Sequence, residues 1–197
     1  GSGGHIDVPM FAATLGISAL QTSEYFGNGR NPRKLGSAHP RNAPYQAYAA
    51  QDGWFAIAAG NNKLWQQVCE VVGTPQLLED HRFTTPTLRA QYQTELKALL
   101  DPHFASRSVA HWLQGFAAAG VPCAPINGYE QALSDPQAVH LQLVQRQTLP
   151  NGHATHTVGC PVRIDGRVVA VNTTPPALDG PDHPVKQRAN ALKNSKK

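Results

Sequence analysis

Asp52-Gly53-Trp54-Phe55-Ala56-Ile57-Ala58-Ala59-Gly60-Asn61-Asn62-Lys63-Leu64-Trp65-Gln66-Gln67-Val68-Cys69-Glu70-Val71-Val72-Gly73 reads as turn, strand, tight turn and helix. Asp52-Gly53 is a turn signal, and Trp54 to Ala59 is an apolar run of strand length. Gly60 ends the run. Asn61 or Asn62 can cap the helix, because a short polar side chain accepts from N–H groups of the first turn. Leu64, Trp65, Val68, Val71 and Val72 then fall at helical spacing, and Gly73 supplies the stop. A strand feeding a helix through Gly-Asn-Asn exposes backbone N–H groups, where an anion or a ligand can approach. The stretch matches no phosphate-loop signature and equally describes an ordinary strand–helix connection.

Upstream, Tyr45 to Ala50 reads as a strand that pairs with Trp54–Ala59 across Gln51-Asp52-Gly53. Arg30 to Pro44 is a long loop broken by Asn-Pro, His-Pro and Ala-Pro. Before it lies an apolar helix with Met10, Phe11, Leu15, Ile17, Leu20 and Tyr25. Asp7 is expected to cap it, Pro9 suits its first turn, and Gly27-Asn28-Gly29 stops it. So few charges predict burial against something large.

Downstream, Thr74–Leu78 is a short helical turn, and Pro86 opens a helix with an apolar face of Leu88, Tyr92, Leu96, Leu99 and Leu100. Ser108 caps the next helix, with Val109, Trp112, Leu113 and Phe116 inward and Gly120 as its left-handed end. Val121–Asn127, with two prolines, is an edge strand or a crossing segment. Gly128–Leu133 is a short helix, and Leu141–Leu149 and Thr155–Gly159 form a hairpin about Asn151-Gly152, extended by Pro161–Asp165. From Thr173 on, Pro-Pro, Gly-Pro and His-Pro pairs describe an arm. The expected fold class is α+β, with a compact middle of Leu35–Ile164.

The net charge of +4 over 197 residues is misleading. The tail Val185–Lys197 carries five Lys and Arg and no acid, so the body is at −1. That is a frayed tail, not the basic face a nucleic-acid binder needs. No apolar run reaches membrane-spanning length, and no signal-peptide pattern opens the chain. Cys69, Cys123 and Cys160 form no C-x-x-C pair and read as reduced, mostly buried thiols of an intracellular, cytoplasmic protein. His153 and His156 straddle a turn without a third ligand, so no metal site is expected. There is no G-x-S-x-G elbow, Walker loop or G-x-G-x-x-G, and the three Trp are read as core. A cysteine hydrolase would require a depressed pKa at Cys123.

Several runs carry a resemblance: Gly4-His5-Ile6-Asp7-Val8, Leu35-Gly36-Ser37-Ala38-His39-Pro40, Ala43-Pro44-Tyr45-Gln46-Ala47, Asp52-Gly53-Trp54 and Ala59-Gly60-Asn61-Asn62. Asp80-His81-Arg82-Phe83, Gly120-Val121-Pro122-Cys123-Ala124-Pro125-Ile126-Asn127, Asp135-Pro136-Gln137 and Pro175-Pro176-Ala177-Leu178 follow in the same order. Together they resemble the class III CoA-transferases, the CaiB/BaiF and formyl-CoA transferase family, over nearly the whole chain. The resemblance implies a fragment of a protein about twice as long. The missing half would be a Rossmann-like large domain that binds CoA and carries a catalytic aspartate. That carboxylate would pass through an acyl-anhydride and an aspartyl-CoA thioester.

On this reading residues 1–34 are a helix and linker from the large domain, 35–164 the small α+β domain with a short, mostly antiparallel sheet, and 165–197 the returning arm and basic tail. No aspartate here matches the nucleophile; Asp7 matches a helix start. Gly60, Asn61 and Asn62 match the loop that covers the intermediates, and His39 and Tyr45 are cleft-facing candidates. Related racemases place a carboxylate where Asn62 stands, which disfavours racemisation. The implied substrates are an acyl-CoA thioester and a carboxylic acid, a dicarboxylate in particular, with no covalently bound cofactor and a homodimer for the complete protein. The competing readings are a racemase relative and a non-catalytic binding module whose basic tail contacts an acidic partner.

Overall fold

Two strands of alternating exposure set the centre of the first half. In β1 (Tyr45–Ala49) and β2 (Trp54–Ala58), Gln46, Tyr48, Phe55 and Ile57 are buried while Tyr45 and Trp54 are exposed. The period of two assigns one face to the core. The strands pair antiparallel with Tyr48 opposite Phe55, and the Ala50 N–H donates to the Gly53 carbonyl across the predicted turn at 2.8 Å. The proline-bearing β3 (Cys123–Pro125) pairs antiparallel with β2, giving the order β1-β2-β3 and leaving β3 at an edge. The computed structural model describes residues 3–170 and Pro175. The chain divides into two compact units, Gly1–Ile126 and Asn127–Lys197.

Local chemistry places the helices of the first unit. α1 (Met10–Ile17) and α2 (Ala19–Asn28) come first, then α3 (Asn62–Val72), a 3-10 turn (Pro75–Leu78), α4 (Pro86–Gln91), α5 (Gln93–Phe104) and α6 (Val109–Ala118). The Asn61 Oδ1 accepts from the Leu64 N–H at 2.9 Å, Thr85 Oγ1 from Leu88 at 3.2 Å and Ser108 Oγ from His111 at 3.2 Å. Each bond satisfies a first-turn donor that the helix itself cannot. Gly73, Gly29 and Gly120 are left-handed (φ 77°, 69° and 73°), as expected of helix ends. Helices α5 and α6 cover the buried sheet face, and α3 packs on α6. Phe104 is the hub: its ring lies 4.7 Å from Tyr48, 5.2 Å from Phe55, 5.2 Å from Trp112 and 6.1 Å from Phe116.

Several expectations are corrected. Asp7 caps nothing; Pro9, extended at ψ 135°, occupies the cap position, and no side chain serves it. The first helix breaks at Ser18; its apolar residues, Phe11 and Phe26 among them, are exposed in this chain, so no described residue supplies the large surface they are expected to pack on. The helix after Pro86 breaks at Tyr92, so Leu96, Leu100 and Phe104 share the buried face at four-residue spacing and Leu99 is turned outward. Trp54 points to the open face of the sheet, so only Trp65 and Trp112 are core. Cys160 is exposed; Cys69 is buried and Cys123 half-buried.

The second unit holds α7 (Tyr129–Ser134), α8 (Pro136–His140), β4 (Val144–Thr148), β5 (Ala154–Val158), β6 (Arg163–Ile164) and β7 (Arg167–Val168). Hairpin β4–β5 turns through Gly152 (φ 84°), as its Asn-Gly signal predicts. Helix α8, which the sequence analysis did not anticipate, is capped by Asp135 Oδ1 on the Gln137 N–H at 2.8 Å. The segment expected to extend the return strand instead doubles back as β6–β7, because Asp165 and Gly166 adopt positive φ (49° and 74°). Every strand pairing among the described residues is antiparallel, in keeping with the α+β expectation. Apart from residues 165–170 and Pro175, the arm and basic tail expected over 165–197 lie outside the described residues.

Candidate functional site

The turn from β2 into α3 is built from its neighbours. Ala59 is fully buried, and its N–H donates to the Pro44 carbonyl at 2.9 Å. A Cβ on Gly60 would stand 3.2 Å from Cγ of Asn42, so the loop before β1 closes tightly on this glycine. Asn61 and Asn62 are both exposed. Asn61 spends its carbonyl oxygen on the helix cap. Asn62 Oδ1 accepts from Arg89 Nη2 at 3.0 Å.

Arg89 is the residue that sequence reasoning missed. It is 0 % exposed. Its Nε donates to the Ala43 carbonyl and its Nη1 to the Phe83 carbonyl, both at 2.9 Å, and its guanidinium lies 5.7 Å from the Trp65 ring centre. One planar fork thus ties the loop before β1, the start of α3 and the loop before α4. None of the ion pairs among the described residues includes Arg89, and burial lowers its pKa from the ordinary arginine value. The signal was available: Arg89 is the one charge between Arg82 and Glu95.

His39 and Tyr45 sit together at the ends of the loop that reaches Gly60. Their rings stack with centroids 4.9 Å apart and 13° between planes, and the His39 N–H donates to the Tyr45 carbonyl at 2.9 Å. His39 Nδ1 accepts from the N–H groups of Arg41 and Asn42, each at 3.1 Å, so Nε2 is the nitrogen left to carry the proton. The link from His39 and Tyr45 to Gly60-Asn61-Asn62 is indirect, through Asn42, Ala43 and Pro44. Two clefts of about 500 and 770 Å³ flank the same loop and share Arg33, Leu35 and Gly36; neither is lined by Gly60, Asn61 or Asn62.

Burial pushes the Cys123 thiol up rather than down, the opposite of an activated nucleophile. Burial likewise pushes Cys69 up to about 12. Among the described residues no group of three or more His, Cys, Asp or Glu is placed to hold a metal. No helix among them is long and apolar enough to cross a membrane.

Comparison with known proteins gives the family. The model of CoA-transferase family III matches residues 1–183. The chain is 34% identical over 166 residues to the acetyl-CoA:oxalate CoA-transferase of Acetobacter aceti, covering 84% of this chain and 41% of that protein. It is 30% identical over 178 residues to the succinyl-CoA:glutarate CoA-transferase of Mus musculus, covering 90% of this chain and 41% of that protein. Among solved structures, a CaiB/BaiF family protein from Brucella suis superposes with a TM-score of 0.75 at 29% identity, over 95% of this chain and 48% of that one. The chain therefore spans about two fifths of the length of these curated relatives. With a family model matched along most of its length, and with the small α+β architecture described above, the chain belongs to CoA-transferase family III.

Proposed function

We propose that this chain is the small-domain part of a CoA-transferase that moves CoA from an acyl-CoA thioester to a carboxylic acid, a dicarboxylate in particular. The observation that carries the reading is the family match, with relatives named for oxalate and glutarate aligned over 84% and 90% of this chain. An aspartate supplied from outside the chain attacks the thioester carbonyl, releasing CoA thiolate and leaving a mixed anhydride. The thiolate returns to the aspartyl carbonyl, expels the first carboxylate and leaves aspartyl-CoA. The acceptor carboxylate then displaces CoA to form a second anhydride. Thiolate attack on its acyl carbonyl gives the new thioester and frees the aspartate.

In this scheme the turn Gly60-Asn61-Asn62 covers the intermediates. Anhydride and thioester both hydrolyse in water, so a closing loop protects transfer. His39 and Tyr45, stacked on each other beside that turn, would face the cleft completed by the large domain. Four of the aspartates, Asp52, Asp80, Asp101 and Asp135, have other work, which fits an external nucleophile. Asp52 accepts from the Val109 N–H at 2.7 Å, and Asp80 is forked by Arg82. Asp101 holds Lys97 at 2.6 Å, and Asp135 caps α8. Asn62 is uncharged and engaged by Arg89, which favours transfer over racemisation. The complete enzyme is a cytoplasmic homodimer in this reading.

The test is complementation. The chain alone, given acetyl-CoA or succinyl-CoA with oxalate or glutarate, should transfer no CoA; co-expressed with a family large domain it should do so. Turnover by the chain alone would refute the external nucleophile. Salt-sensitive nucleic-acid binding that is lost on deleting Val185–Lys197, with no complementation, would favour a binding module instead.

A further inference from the structure

We infer that Arg89 is a positioning residue that acts through Asn62, fixing which end of its amide the loop turns outward and so making the loop a donor surface matched to a carboxylate acceptor. The inference rests on the transferase reading above. A guanidinium has donors only, so the amide end that meets Arg89 Nη2 at 3.0 Å must be the oxygen. Asn62 is exposed, and its NH2 is the end left for a ligand. Asn61 is arranged alike: its oxygen is taken by the Leu64 N–H, leaving its NH2. Two adjacent exposed amides thus have their acceptors occupied from within the protein.

The anchor is rigid. Arg89 is 0 % exposed and is held on two further sides by the Ala43 and Phe83 carbonyls. Among the described residues its charge meets neutral oxygens and no carboxylate, so the loop sits one amide away from a buried cation. That field favours negative charge on the ligand side. Any bond from Arg89 fixes the oxygen inward; what separates carboxylate recognition from a merely structural contact is whether the outward NH2 is used by the acceptor.

Asn62→Asp separates the two. The variant keeps an oxygen on Arg89, now as a charge-assisted bond, so the fold is retained. Its outward atom becomes an anionic acceptor. In the transferase that contains this chain, the KM for a dicarboxylate acceptor should rise about tenfold or more, with the KM for the acyl-CoA donor within about twofold and the melting temperature not lowered. An unchanged acceptor KM overturns the inference. Should Asn62→Asp fail to fold, Asn62→Ala must show the same split between the two KM values, and equal values overturn it. Absence of any transfer in the unsubstituted enzyme is the failure of the transferase reading. The positioning claim has its own readout, in this chain alone. The Asn62 side-chain NH2 should be ordered by NMR relaxation and become mobile in Arg89→Met; an unchanged signal overturns it whatever the activity.

Discussion

Replacing Arg89 should produce an inverted ranking: the conservative Arg89→Lys should destabilise the first unit more than Arg89→Met. The fork satisfies two carbonyls belonging to buried residues, Ala43 at 2 % and Phe83 at 0 % exposure, besides the exposed Asn62. Methionine leaves both carbonyls without this donor, at about 1–3 kcal/mol each. It also removes a charge whose burial costs several kcal/mol and refills the space with apolar volume. The net loss for Arg89→Met is therefore about 1–3 kcal/mol. Lysine keeps the charge but not the planar fork, so one ammonium faces acceptors arranged for three donors. An incompletely paired buried charge costs about 3–5 kcal/mol.

The assay is urea denaturation read by tryptophan fluorescence, since Trp54, Trp65 and Trp112 all lie in the first unit. With a slope of about 2 kcal/mol/M, Arg89→Met should lower the midpoint by about 1 M and Arg89→Lys by about 2 M at pH 6. The pH dependence has a definite sign. A buried lysine has a folded pKa below its unfolded value, so between the two the unfolded state binds more protons and stability rises with pH. The Arg89→Lys deficit should therefore shrink toward pH 9, while that of Arg89→Met stays flat. A lysine variant as stable as the methionine variant at pH 6, or one without pH dependence, would refute the account of Arg89 as a buried fork.

Phe104→Ala should cost about 3–5 kcal/mol, lowering the same midpoint by about 2 M, because it empties the hub of the aromatic cluster. Phe26→Ala, at a side chain 83% exposed, should stay within about 0.5 kcal/mol; equal effects would place the core wrongly. The Arg82 side chain, by hydrogen-bonding Asp80, lowers that carboxyl to about 2. A depressed folded pKa gives stability that is present above about pH 4 and lost as pH falls toward 2. The gap in urea midpoint between the unsubstituted chain and Asp80→Asn should thus close over that window, and a constant gap would argue against the pair.

What was legible in the sequence was local. The Gly73, Gly29 and Gly120 stops, the Ser108 cap and the Asn-Gly hairpin each depend on a residue's own backbone and on neighbours a few positions away. Exposure does not. Trp54 and Phe55 are adjacent and aromatic, and strand alternation sends one to solvent and the other to the core. Only the position of α5 and α6 decides which. Leu99 and Leu100 are separated by the break at Tyr92, which rotates the helix face away from the spacing counted from Leu88. Helix α8 had its signals, Asp135 as cap and Pro136 behind it, but at five residues it leaves too little periodicity to register.

Asn61 and Asn62 mark the boundary most clearly. They are chemically identical neighbours, and both are exposed. The role of Asn61 follows from a rule about the first turn of a helix, and its partner is three residues away. The role of Asn62 depends on an arginine 27 residues downstream. That arginine is held in turn by carbonyls 46 residues upstream of it, at Ala43, and 6 upstream, at Phe83. No local rule reaches that far, because a buried charge is stable only where several separated segments bring acceptors to one point. The same separation is what gives the arrangement its use. A loop fixed by its own cap alone would hold its helix, whereas one tied at Asn62 to a buried cation is held in register with the chain on either side of it.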